Sequence, residues 1–202
     1  MIQKNNSEIT STQSLQGAVM HSAFTHLMLD LETMGTKSNS AIISIGAVEF
    51  NIQTGETGRN FYRNISLQSC IDIGLQMDAD TIMWWMRQSD NARNSLIEIP
   101  PFSIQQALID FKEFCNKDYQ IWGNSARFDL GLLENAYDKI RIPIPWKFNQ
   151  ERCLRTLTSF NPEIKRNIEF KGTAHNALED CYHQIKYCHL TWVSLEKKLT
   201  IK

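Results

Sequence analysis

The sequence predicts an α/β domain: one mixed five-stranded sheet that begins as an antiparallel meander and is flanked by helices. Three observations point there. The chain has 202 residues, 42% apolar and 10% aromatic, which suits one sizeable core better than two. Short β-branched runs joined by polar links fill residues 25–65. Beyond them the apolar spacing lengthens from the strand period to the helix period.

Residues 1–22 are rich in Ser, Thr, Gln and Asn and read as a flexible tail, in which Met20 offers a second start. The chain from residue 23 to residue 202 reads as a single domain. HLMLDL (26–31) is a compact apolar strand and AIISIGAVEF (41–50) a second. NIQTGETGRN carries the Thr-Gly chemistry of a hairpin turn, and FYRNI (61–65) follows as a third strand. Asp80 is placed as the N-cap of a helix TIMWWMRQS, and Ser103 as that of IQQALIDFKEFC, with Pro100 and Pro101 between the two. Ile104, Leu108, Phe111 and Cys115 make one apolar stripe, the pattern of a helix lying on a sheet. YQIWG (119–123) reads as a short buried strand, and Arg127 to Ile140 as a helix with Leu130, Leu133 and Tyr137 on its inner face. IPIPWKF (142–148) supplies the fifth extended stretch and ERCLRTLTSF a short helix. The loop NPEIKRNIEFKGTA then leads into a last helix from His175 to Lys198. There is no internal repeat, and the order is that of a ribonuclease H-like fold.

The charge count, 21 basic against 22 acidic residues, excludes a basic coat protein or a polybasic membrane adaptor. By region the balance is −5 over residues 1–119 and +4 over residues 120–202. No apolar run is long enough for a membrane helix and the N-terminus lacks a signal-peptide centre, so a soluble, cytoplasmic protein without a membrane partner is expected. Five cysteines without a C-x-x-C pair suggest neither a disulfide framework nor a zinc ribbon. Cys181, His183, Cys188 and His189 share one helical segment and cannot converge on one ion.

Chemistry concentrates in three places. Asp30 and Glu32 stand two residues apart at the end of LMLDL, so both carboxylates project from one face of the strand, and a divalent cation is the economical way to offset their repulsion. Asp129 closes the segment WGNSARFD, where a strand turns into a helix. His175 and Asp180 bracket HNALED at the start of the last helix. Four carboxylates suffice for a pair of oxygen-ligated magnesium ions, and His175 has the side chain suited to a general base near neutral pH. On a helical projection Trp84 points away from Ile82, Trp85 and Met86, to stack on a nucleobase or to pack against the tail, the IPIPWKF stretch or a second subunit. Lys165, Arg166 and Lys171 precede His175, either to meet phosphates or as solvated charges.

With D-L-E, N-S-A-R-F-D and H-N-A-L-E-D in this order across residues 26–190, the chain resembles the DEDD 3′-to-5′ exonucleases of the histidine subclass (DEDDh). DLETMG, DTIMWWMRQS, WGNSARFD and AHNALED are most similar to ribonuclease T-like and exonuclease VIII-type members of bacteria, prophages and phages. The resemblance implies two Mg2+ ions, with Mn2+ able to substitute. One would be held by Asp30, Glu32 and Asp180 and orient a water that gives its proton to His175; the other would be held mainly by Asp30, with Asp129 acting through water. It implies single-stranded RNA or DNA 3′ ends as substrate and nucleoside 5′-monophosphates as product; related enzymes are often homodimers, and the sequence leaves the oligomeric state open. The backbone of Thr33-Met34-Gly35 would meet the terminal ribose, with Met34 wedged against the last base or left as a half-exposed turn residue. A non-cleaving domain that grips nucleic-acid ends and a phosphodiesterase for small nucleotides are the alternatives.

Overall fold

The computed structural model describes residues 24–97 and 101–200; the polar tail with Met20, and Pro100, lie outside the described residues. Five strands, β1 (His26–Thr33), β2 (Ile42–Phe50), β3 (Thr57–Asn64), β4 (Gln120–Gly123) and β5 (Glu151–Cys153), form one sheet in the order β3-β2-β1-β4-β5. The first three pair antiparallel, and β4 and β5 continue the sheet parallel to β1. This is the mixed, helix-flanked sheet the sequence predicts.

Strand alternation sorts β1 between two cores. Leu27, Leu29 and Leu31 enter the larger one with Ile45, Phe111 and Tyr137, beneath α4 (Ile104–Phe114) and α5 (Ala126–Lys139). Met28 faces the other way, into a smaller core with Val48, Trp122 and Cys181, which α8 (Ala177–Thr200) covers. Gly46 makes that second packing close. A Cβ there would lie 2.4 Å from the carbonyl carbon of Ala177, so any side chain would lift the start of α8 off β2.

Short polar side chains start the early helices. Ser66 caps α1 (Leu67–Asp72), Asp78 caps α2 (Ala79–Trp85), Ser89 caps α3 (Asp90–Ser95) and Ser103 caps α4, each contributing about 1 kcal/mol. The cap of α2 is therefore Asp78 and not Asp80: Asp78 is extended and its Oδ1 accepts from the Asp80 amide at 2.9 Å, which leaves Asp80 inside the first turn. The helix also stops at Trp85, short of the expected Ser89.

The fifth strand lies elsewhere than expected. Pro143 and Pro145 leave IPIPWKF without two of the amides a ladder needs, and the stretch instead packs Ile142, Ile144 and Trp146 on the larger core. Strand β5 is formed by the first three residues of ERCLRTLTSF, and α6 (Leu154–Thr158) takes the next five. The helices α1, α3 and α7 (Pro162–Arg166) are each five or six residues long, too short to show a period.

Candidate active site

The pairing of β1 with β4 ends at Leu29↔Gly123, while β1 runs on to Thr33 held only by β2. A crevice opens where the carboxyl ends of these two parallel strands part, the usual place for a ligand in a sheet of this kind. Asp30 and Glu32 project into it on the α8 face of β1. Asp129 reaches it from the first turn of α5, which follows β4 after a two-residue turn, and Asp180 from the first turn of α8. The cleft measures about 350 Å3 and is lined by all four carboxylates, His175, Asn124, Ser125, Phe128, Arg155 and Gln184. Single carboxylate oxygens of Asp30, Glu32 and Asp180 all lie within 4.8 Å of one another.

Local chemistry fixes three of the four acids. Gln184, one turn beyond Asp180 on α8, donates from Nε2 to Asp30 Oδ1 at 2.7 Å. The Ser125 amide donates to Asp129 Oδ2 at 3.2 Å. Gly123 leaves room for that carboxyl, since a Cβ there would stand 2.8 Å from Asp129 Oδ2. Asn176 starts α8 by accepting from the amides of Leu178 and Glu179 at 3.1 and 3.2 Å, and so sets the angle at which Asp180 enters the cleft.

Four acids share this small volume, and their protonation reflects it. Burial, then the charges of Asp129, Glu32 and Asp180, push Asp30 well above the usual carboxylate range, although Gln184 holds it down in part. Burial with Asp180 and Asp129 raises Glu32 to about 8. Burial raises Asp129 to about 7 against the Ser125 amide and Arg155, and Asp180 to about 6 against His175. Crowded, desolvated carboxylates of this kind bind protons or a cation. An all-oxygen donor set of this charge suits a hard divalent ion such as magnesium.

His175 precedes α8 rather than beginning it, in a left-handed conformation with φ of 64°. Its ring stands edge-on to Trp84, with centroids 4.8 Å apart, and 6.1 Å from Trp85. Trp84 therefore has a partner that its helical projection does not reveal: it flanks His175 while staying 40% exposed. Trp85 is buried and donates from Nε1 to the Thr33 carbonyl at 3.0 Å, which ties α2 to the end of β1.

Beside the carboxylates a second cavity of about 460 Å3 is walled by Thr33, Gly35, Trp84, Trp85 and Phe128. Met34 does not reach it. Its side chain is 8% exposed and belongs to the larger core, because its amide and carbonyl bond to Ala41 and Asp78 and turn the side chain inward. Met34 is therefore a buried core residue and not the half-exposed turn residue the sequence allows. The cations ahead of His175 stand away from the cleft too: Lys165 lies over the Tyr187 ring, Arg166 pairs with Glu163, and exposed Lys171 lines none of these cavities. The basic side chain that does line the cleft is Arg155, unmarked in the sequence because only the placement of β5 brings it there. Gln184 had a readable signal, its position four residues after Asp180 on one helix face.

Cys181 and Cys188 are buried in the smaller core, whereas His183 packs on Phe170 and His189 bonds the Ile52 carbonyl. These four side chains diverge, as the helical spacing requires. Among the described residues no helix is long and apolar enough to cross a membrane.

The fold is similar to solved nucleases. Escherichia coli exonuclease I in complex with a dA16 oligonucleotide superposes with a TM-score of 0.62 at 15% identity over 85% of this chain and 41% of that one. The zinc-ion-bound form of the E. coli exonuclease I–ssDNA complex gives 0.63 at 16% identity, over 87% and 42%. Cell-death related nuclease 4 gives 0.50 at 10%, over 84% and 64%. The chain thus spans less than half the length of exonuclease I. No curated protein sequence matches it. Residues 25–192, which contain every carboxylate of the cleft and His175, match the family model of the 3′-5′ exoribonuclease Rv2179c-like domain, and to that family the chain belongs.

Proposed function

We propose that this domain is a divalent-metal-dependent 3′-to-5′ exonuclease that removes nucleoside 5′-monophosphates from single-stranded ends, RNA foremost, since the family is described by its exoribonuclease activity. The observation that carries the reading is the convergence of four carboxylates, pushed up to about 6, 7 and 8 at Asp180, Asp129 and Glu32, in one cleft with His175. Asp30, Glu32 and Asp180 would hold one cation, and Asp30 with Asp129 a second. Such ions supply positive charge for the attacking water and the departing O3′.

The protein's own groups do the rest. His175 accepts the proton of the water as the water oxygen bonds to phosphorus; the P–O3′ bond breaks on the opposite side, its electron pair stays on O3′, and solvent protonates that oxygen to the new 3′ hydroxyl. Trp84 and Trp85 flank the imidazole and limit its rotation. Gln184 donates to Asp30 and leaves the other oxygen of that carboxylate for a cation. The cavity walled by Thr33, Gly35, Trp84 and Trp85 takes the terminal nucleoside, so that cleavage proceeds from an end.

Incubation with 3′-labelled and 5′-labelled RNA and DNA oligonucleotides in magnesium tests the reading. Stepwise release from the 3′ end is expected, faster on RNA, and lost in EDTA and in Asp30→Ala. Activity that survives Asp30→Ala would sink the metal assignment; binding of ends without turnover would return the domain to an accessory role. Equal rates on a dinucleotide and a long strand would make it a small-nucleotide phosphodiesterase.

A further inference from the structure

Three cavities meet at Phe128. The carboxylate cleft shares Leu31, Glu32 and Phe128 with the tryptophan-walled cavity, and a third cavity of about 550 Å3 shares Ser125 and Phe128 with the cleft. Their charges differ in kind. The ionisable lining of the tryptophan-walled cavity is Glu32, Asp78 and Asp80, acid throughout; that of the third cavity is Lys37 and Arg127, basic throughout. Both basic side chains are exposed, and neither has an ion-pair or hydrogen-bond partner among the described residues, whereas Arg59, Arg63, Arg93 and Arg166 are each held by a carboxylate. Asn39 and Ser125 add neutral polar groups beside them.

A nucleic-acid strand carries the matching asymmetry. Its 3′-terminal nucleoside ends in a hydroxyl, while each linkage on its 5′ side carries one negative charge. An acid-lined apolar cavity accepts the phosphate-free end and repels a phosphate; a cavity with two unpaired cations does the opposite. Building on the exonuclease reading, we propose that the cavity of Lys37 and Arg127 is a binding site for the phosphodiesters upstream of the scissile one. The strand then enters over Lys37 and Arg127, bends round Phe128 at the carboxylates, and places its last nucleoside against Trp84 and Trp85.

The test compares a dinucleotide, which has no upstream phosphate, with a twelve-nucleotide oligoadenylate. For single strands the logarithm of affinity falls with the logarithm of salt by about 0.7 per phosphate neutralised, so losing two contacts weakens binding about 25-fold near 0.1 M salt. Lys37→Ala/Arg127→Ala is expected to lower the kcat/KM advantage of the long strand over the dinucleotide by about 25-fold and to flatten the salt dependence of its KM by about 1.4. Lys37→Arg/Arg127→Lys, which keeps both charges, is expected to retain the slope. Anisotropy of the labelled oligoadenylate on Asp30→Asn protein, with and without the double substitution, reads binding apart from turnover. An unchanged length advantage and salt slope overturn the site. Loss of binding in a protein that hydrolyses neither substrate supports the site and overturns the nuclease reading instead.

Discussion

Glu32→Gln is expected to stabilise the metal-free protein while removing its activity. Glu32 is 9% exposed and raised to about 8 by burial with Asp180 and Asp129, against an ordinary value of 4.5. Between these two values the folded state binds more protons than the unfolded state, so stability falls as pH rises through that window. The slope reaches about 1.36 kcal/mol per pH unit, and at pH 7 the accumulated loss is on the order of 3 kcal/mol. Glutamine has nearly the same shape and no charge to desolvate. For a domain of this size that gain corresponds to roughly 6–12 °C in Tm. Thermal unfolding in EDTA at a series of pH values reads it: the variant melts above wild type at pH 7, and the difference shrinks towards pH 4.5. Magnesium is expected to raise the wild-type Tm at pH 7 and narrow the gap, because the cation offsets the same repulsion. A variant that melts at or below wild type in EDTA at pH 7, or whose gain is independent of pH, would refute the account of the cleft as a store of unbalanced negative charge.

Substitutions at three further positions separate chemistry from scaffold. His175→Ala should lower kcat by about 10²–10⁴-fold, the range for loss of a general base, with little change in KM; Trp84→Ala should lower kcat in part and Trp84→Phe restore it, while equal effects of Ala and Phe would mean that an aromatic edge beside His175 is not what matters. Gly46→Ala places a methyl 2.4 Å from the Ala177 carbonyl carbon and should destabilise the fold by about 1–3 kcal/mol in a denaturant titration, with activity falling further because Asp180 rides on the same turn of α8; a fully active, fully stable variant would show that the start of α8 can move without cost.

The parts of this site legible in the sequence are those whose geometry is local. Asp30 and Glu32 share a face because a strand alternates, and Asp180 follows His175 closely enough for one turn of chain to carry both. The core stripe of α4 and the cap at Ser103 are likewise decided within a few residues. Strand β5 was not legible: three residues carry no period, and its place depends on β4 being free to pair on that side. Met34 misled for a related reason. A residue in a turn is expected to face water, but this turn is pinned by Ala41 and Asp78 and delivers its side chain inward. The contact of Trp84 with His175 spans 91 positions in the chain, and no helical projection reaches that far.

Charge shows the same limit most clearly. Counted by region, the chain divides into an acidic first part and a basic second part, which invites a search for phosphate contacts among the later residues. The later cations near His175 are spent on Tyr187 and Glu163 or stand apart, and the two that share a cavity beside the carboxylates come one from each part, Lys37 just after β1 and Arg127 just inside α5. They meet because β1 and β4 are parallel neighbours, so the segments leaving their carboxyl ends face the same crevice. A net charge of −1 is then no bar to holding a polyanion. On the proposed reading, the fold gathers its acids where cleavage would occur and a cation would bind, and leaves two bases, unpaired among the described residues, one step away, where the strand would keep its charge.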